Sequence, residues 1–322
     1  MYFNKNNNFF HGIMFHHFHD DNIHTKRQGS ISRDDFYKII DFIGRKNILD
    51  SDIFIEKYRK DILKKNEVCL TFDDGIKSQI DIALPVLEDL KIKSIFFPYT
   101  SMFEGLPDNL EIYRYFRTNY FSNINDFYEK FYDVLNRNFE EFLRREIDLI
   151  KNIKKKFSFY TIEDIEFRLI RDKFLTKKEY ENNMSLIMSE KKFNPKTIYS
   201  NLFFSKQDLT KIDRLGHSIG LHSHSHPLLM EKLSYENQKI EYEKCLSIIS
   251  KILNKSTDQI KIMSHPSGSY NDHTLKILSE LGIELGFKQI MDIEPEKGMK
   301  KINNSFLEIA RQDHSDILAK IS

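Results

Sequence analysis

Val68-Cys69-Leu70-Thr71-Phe72 is a short apolar and β-branched run that stops abruptly on Asp73-Asp74-Gly75. Such a run, bounded by turn residues, predicts a strand buried on both faces. Gly75 lets the chain leave that strand sharply. Upstream, residues 9–18 (FFHGIMFHHF) predict a buried first strand. Ser32 with Asp35 reads as a helix N-terminus, and Phe36, Ile39, Ile40 and Ile43 follow at helical spacing. Downstream, Ile80, Ala83, Val86, Leu87 and Leu90 form a helical stripe, and Ser94–Tyr99 predicts a third strand. Strand, helix, strand, helix, strand implies parallel strands joined by helical crossovers.

The alternation is interrupted over 101–199, where charged and aromatic residues mix and Leu and Ile recur at helical spacing. This segment predicts a mainly helical insertion, with Lys151–Lys156 as a solvated helix face. Such an insertion is expected to shape substrate access. The alternation then resumes. Ser218–Leu221, Ile260–Met263, Glu284–Phe287 and Phe306–Ala310 predict strands, and Tyr235–Leu253 and Asp272–Leu281 predict helices. The expected organisation is one α/β domain from 1–100 and 200–322, interrupted by the insertion.

Of the 322 residues, 49 are Lys or Arg and 48 are Asp or Glu, a net charge of +1. A nucleic-acid binder would show a basic excess, so that partner class is not expected. Cys69 and Cys245 cannot form a disulfide framework and read as reduced, buried small hydrophobes. In MYFNKNNNFFHGIMF, Asn, His and Lys interrupt every apolar run. No segment approaches the ~20 apolar residues of a membrane span. The expectation is a cytoplasmic protein without an export signal or membrane span.

Three segments carry chemistry. Asp73 and Asp74 end a predicted parallel strand, the edge at which α/β folds build sites. Adjacent carboxylates there point in different directions and can take different roles. The plainer alternative is a helix cap and turn. His222-Ser223-His224-Ser225-His226 also leaves a strand, and four of the 12 histidines fall between His217 and His226. His222 and His226 can converge on one ion if the chain between them turns. Two imidazoles and one carboxylate suit Zn²⁺ and leave a coordination position open. His265-Pro266-Ser267-Gly268 leaves a third strand, and such a tight loop can aim a backbone N–H into a cleft.

Together these segments resemble the polysaccharide deacetylases, the NodB-homology group known as carbohydrate esterase family 4. Thr71-Phe72-Asp73-Asp74-Gly75 matches the family's TFDDG motif at every position. His222-Ser223-His224-Ser225-His226 matches H-[ST]-x-x-H, and R-x-P-[YF]-G is matched only at Pro266 and Gly268. The resemblance covers about residues 9–100 and 200–322. It implies a distorted (β/α) barrel of seven or eight strands, with the site at the strands' C-terminal ends. It implies Asp73 as general base and Asp74, His222 and His226 as ligands of a divalent metal. Zn²⁺ is the first expectation, with Co²⁺, Ni²⁺ or Fe²⁺ as alternatives.

The sequence also departs from the family. Ser264 stands where the third motif has arginine, and Arg311, in Ile309-Ala310-Arg311-Gln312-Asp313, is expected to replace it from a late strand. Ser267 stands at the motif's aromatic position; Pro266, Ser267 and Gly268 remain the expected substrate-binding loop. No copy of the late L-x-x-H motif is found. That leaves His17 and His314 as candidates for the general acid, with His16 beside His17 at the end of the first strand. The expected function is metal-dependent removal of an N-acetyl group from an amino sugar, as a surface-glycan precursor. The alternatives are a deformylase or other amide hydrolase, and a non-catalytic sugar-binding protein.

Overall fold

A computed structural model describes residues 12–64, 66–135, 137–156, 160–288 and 305–321. Residues 9–11 of the predicted first strand lie outside the described residues. Seven parallel strands are present: β1 (Gly12–Phe15), β2 (Cys69–Asp73), β3 (Ile95–Phe97), β4 (Ser218–Ile219), β5 (Ile262–Ser264), β6 (Leu285–Lys288) and β7 (Ile309–Asp313). Their order is β4-β3-β2-β1-β7-β6-β5. Just past β4, the Leu221 N–H donates to the Ile262 carbonyl at 3.0 Å, and the Ser264 N–H donates to the Leu221 carbonyl at 2.9 Å. These two bonds join the sheet's outer strands into a nearly closed seven-stranded (β/α) barrel. Closure covers the strand edges and explains why the strands read as continuous apolar runs.

Alternation along the strands separates two faces. On one, Cys69, Ile95, Phe97, Ile262, Leu285, Phe287 and Ile309 form a buried apolar cluster, joined by Phe54 and Tyr58 from the helix Ser51–Arg59. On the other, Phe15, Phe72 and Phe96 stack at 5.3 and 4.7 Å, with Phe36 edge-on to Phe15 at 5.0 Å. Phe36 comes from the helix Arg33–Ile43, which buries Ile39, Ile40 and Ile43 on the same stripe. The Ser32–Asp35 capping box that starts this helix is formed. Cys69 and Cys245 are free and buried, and burial pushes the Cys245 thiol up to about 12.

Strand ends differ from the expectation by a few residues. The last strand spans Ile309–Asp313 and not Phe306–Ala310, which places Arg311 on the strand itself. The helix Tyr235–Leu253 has the predicted bounds.

The described residues up to Asp108 and from Tyr199 onward form one compact unit, which holds the barrel; Asn109–Ile198 form a second. The second unit is helical and closes on its own aromatic core of Phe116, Phe127, Phe131 and Phe167. Tyr113 and Phe116 point into that core, and Arg117 lies over Phe167 at 5.4 Å. Among the described residues, no helix is long and apolar enough to cross a membrane.

Candidate active site

The barrel's C-terminal edge carries a polar layer directly above its apolar filling. Asp73 ends β2, Ser264 ends β5 and Arg311 lies on β7. The Arg311 guanidinium donates two parallel hydrogen bonds to Asp73, from Nη1 to Oδ1 at 2.7 Å and from Nη2 to Oδ2 at 2.6 Å. It also donates to Ser264 Oγ at 2.8 Å and to Thr71 Oγ1 at 3.1 Å. The Ser264 hydroxyl donates to Asp73 Oδ2 at 3.0 Å. Arg311 is 0% and Asp73 2% exposed, so neither charge could be buried without the other. Burial alone would raise the Asp73 carboxyl. Arg311, and then His222, hold it below the usual carboxylate range.

The arginine needs room beside β1. A Cβ on Gly12, which pairs with Arg311 across the sheet, would lie 2.6 Å from Arg311 Cγ. Gly12→Ala therefore displaces the guanidinium stem. It is expected to cost about 1–3 kcal/mol of stability and to lower activity with it. Thermal denaturation and kcat check this; an unchanged variant in both would contradict it.

Asp74 turns the other way from Asp73. Its left-handed backbone, φ 71°, swings the carboxylate toward the loop after β4. His222 Nε2 lies 3.1 Å from Asp74 Oδ1, and His226 Nε2 lies 3.3 Å from the same oxygen. One ligand atom from each residue falls within 4.8 Å of the others. The remaining ring nitrogens are held from behind. His222 Nδ1 donates to the Ser264 carbonyl at 2.9 Å, and His226 Nδ1 lies 3.5 Å from Asp108 Oδ2. Such outer partners fix the ring orientation that a metal-binding histidine needs. Burial opposes the charge on both Asp74 and His226, yet each supports the other. Asp74 is held well below the usual carboxylate range, chiefly by His226. His226 is pushed up to about 10, chiefly by Asp74 and then Asp108. The donor set fits a divalent cation of the borderline class.

The candidate acids separate. His16 Nε2 lies 3.9 Å from Asp74 Oδ2. His17 is buried, with its ring stacked against that of His16 at 6.1 Å. His314 does not reach the cluster, and that expectation is corrected. Its Nδ1 and Nε2 each lie 3.1 Å from a backbone carbonyl, of Met14 and Gly29, and its ring stacks on Phe15 at 5.5 Å. It is a buried structural residue. Pro266–Gly268 form one tight turn after Ser264 and His265, with Pro266 buried and Ser267 exposed in a left-handed conformation, φ 53°.

Residues 140–286 match the family model for polysaccharide deacetylase. The match takes in His222, His226 and the Pro266–Gly268 turn, while Asp73 and Asp74 lie before it. Over that stretch the chain resembles the polysaccharide deacetylases. The structure is similar to a deacetylase, PplD of Streptococcus pyogenes, solved in complex with acetate, with 15% identity, a TM-score of 0.55 and 97% of each chain covered. It is also similar to IcaB from Ammonifex degensii, with 13% identity, a TM-score of 0.53, and 96% of this chain and 94% of that one covered. A de-N-acetylase from Aggregatibacter actinomycetemcomitans is 11% identical with a TM-score of 0.53, covering 97% of this chain and 98% of that one. These likenesses show a shared (β/α) barrel. No curated protein matches the chain.

Sequence reasoning overlooked three supporting residues. Ser264 read only as a lost arginine, yet its hydroxyl bridges Asp73 and Arg311. Asp108 lies in a loop with no pattern of its own. Glu241 sits in the middle of a helix, among other charged residues, and only the fold brings it to the histidine loop.

Proposed function

We propose that this chain hydrolyses the N-acetyl group of an acetylated amino sugar, carried on a glycan or a glycan precursor. The observation that carries this reading is the division of labour between two adjacent carboxylates. Asp73 is clamped by a buried guanidinium, while Asp74 faces two imidazoles. A divalent cation held by Asp74, His222 and His226, Zn²⁺ first, would supply Lewis acidity to the attacking water and to the amide oxygen.

The residues around it do the rest. Asp73 is ionised and takes the proton of the attacking water. Its Oδ2 already accepts from Arg311 and Ser264, whereas Oδ1 accepts from Arg311 alone and keeps a lone pair. Oδ1 is therefore the proton-accepting atom. His16, at the end of β1, gives the proton that the leaving amine requires. Ser267 presents the exposed edge of the turn that borders the substrate. PplD, solved with acetate, and the de-N-acetylase among the neighbours support the choice of acyl group.

Acetate release from a panel of N-acetylated sugars, oligosaccharides and nucleotide sugars, with N-formyl analogues beside them, tests the reading. Release that stops with chelator and returns with Zn²⁺ or Co²⁺ is expected. Formate release alone, or no release from the metal-loaded protein, would overturn it.

The assignment of the acid is tested separately. His16→Gln is expected to lower kcat on the order of 10²–10⁴-fold, and His17→Gln far less. An activated aryl ester, whose leaving group needs no proton, should recover most of the His16→Gln loss. Equal losses in both variants, or no recovery with the ester, would remove His16 from this role.

A further inference from the structure

The loop that brings His222 and His226 together is not self-supporting. Two of its non-glycine residues are left-handed, Ser223 at φ 62° and His226 at φ 54°. Such conformations persist only where the surroundings hold them. One internal bond, from the His226 N–H to Ser223 Oγ at 3.2 Å, is part of the support.

The rest comes from outside. On one side, the His224 carbonyl accepts from the N–H groups of Thr100 at 3.1 Å and Ser101 at 2.8 Å, and its ring Nδ1 lies 3.0 Å from Thr100 Oγ1. The middle histidine is thus a strut and not a third ligand. On the other side stands Glu241. Its Oε2 accepts from the His224 N–H at 3.0 Å and the Ser225 N–H at 2.7 Å. Its Oε1 accepts from the Ser225 hydroxyl at 2.6 Å. One carboxylate thereby collects three donors from two consecutive residues, and bonds to an ionised acceptor are the strong ones. The helix bearing it, Tyr235–Leu253, is anchored by buried Tyr242, Cys245 and Ile249.

We infer that Glu241 is a positioning residue: it holds the His224–Ser225 peptide so that His222 and His226 face Asp74. The inference rests on the reading of Asp74, His222 and His226 as metal ligands. Without Glu241, two backbone N–H groups and a hydroxyl lose their acceptor, and the turn that aims His226 loses its support on that side. The consequence falls on cation affinity.

The test is Zn²⁺ affinity of the full chain, by competition with a chromophoric chelator, with fold checked by circular dichroism. Glu241→Ala is expected to weaken Zn²⁺ on the order of 10–100-fold. Glu241→Gln, with one acceptor oxygen for three donors, should weaken it less and carries the test if the alanine variant does not fold. Lys239→Ala is the control. Lys239 lies on the same helix and pairs with Glu243 at 3.7 Å, so its loss should leave Zn²⁺ affinity unchanged. Wild-type affinity in both Glu241 variants would overturn the inference, as would an equal loss in Lys239→Ala. No Zn²⁺ binding by the wild type would instead overturn the underlying reading of the three ligands.

Discussion

Arg311→Ala is expected to lower kcat on the order of 10²-fold, to shift the acid limb of the pH profile upward, and to destabilise the fold. The rate loss follows from a base that is no longer aimed, since a misplacement of about 1 Å can cost that much. The stability loss is that of a buried charge stripped of its partner, about 3–5 kcal/mol. The pH shift has a definite sign. In the wild type, burial would raise the Asp73 carboxyl, but Arg311, with His222 and His16 behind it, holds it below the usual carboxylate range. The pair's contribution is therefore complete above that range and is lost only as pH falls below it. Without Arg311, burial is no longer offset, the Asp73 carboxyl rises, and the ionised base is reached only at higher pH. Arg311→Lys should recover charge but not the twofold hydrogen bond, and so only part of the rate. A pH–rate profile of each variant checks the account, and an unmoved acid limb in Arg311→Ala would contradict it.

Asp73→Asn is expected to lower kcat on the order of 10²–10⁴-fold while leaving cation affinity close to that of the wild type. The amide keeps the shape of the carboxylate but cannot accept a proton at the working pH. It also leaves Arg311 buried without a counter-charge, so thermal stability falls as well, and activity must be read on folded protein. Asp74→Asn should behave differently, because Asp74 lies against both imidazoles. It should lose Zn²⁺ affinity and activity together. Paired measurements of kcat and Zn²⁺ affinity on the two variants separate these roles. Parallel losses in both quantities for both variants would contradict the division between adjacent carboxylates.

Much of this was legible in the sequence, for physical reasons. Strands covered on both faces are largely apolar up to their C-terminal ends, so Val68–Phe72 and Ser94–Tyr99 stood out as runs. Their C-terminal ends are where polar residues break the pattern, so Asp73, His222 and Pro266 fell at the correct edge. Arg311 was legible because a buried carboxylate lacking the motif's arginine needs another cation, and β7 supplies one. What could not be read depends on three-dimensional convergence. Glu241 and Asp108 lie far from the histidine loop or outside any motif, and ordinary charged residues surround Glu241. His314 misled because its neighbours in sequence say nothing of the two carbonyls that hold its ring. His16 and His17 are adjacent on one strand end, and only the position of Asp74 distinguishes them.

The most direct test is to strip the protein with chelator and titrate Zn²⁺ back while following acetate release from the best substrate. The account predicts no release before addition, then a rise that saturates at one ion per chain and is missing in His222→Ala. Full release from the stripped protein, or an unaltered titration in His222→Ala, would contradict it.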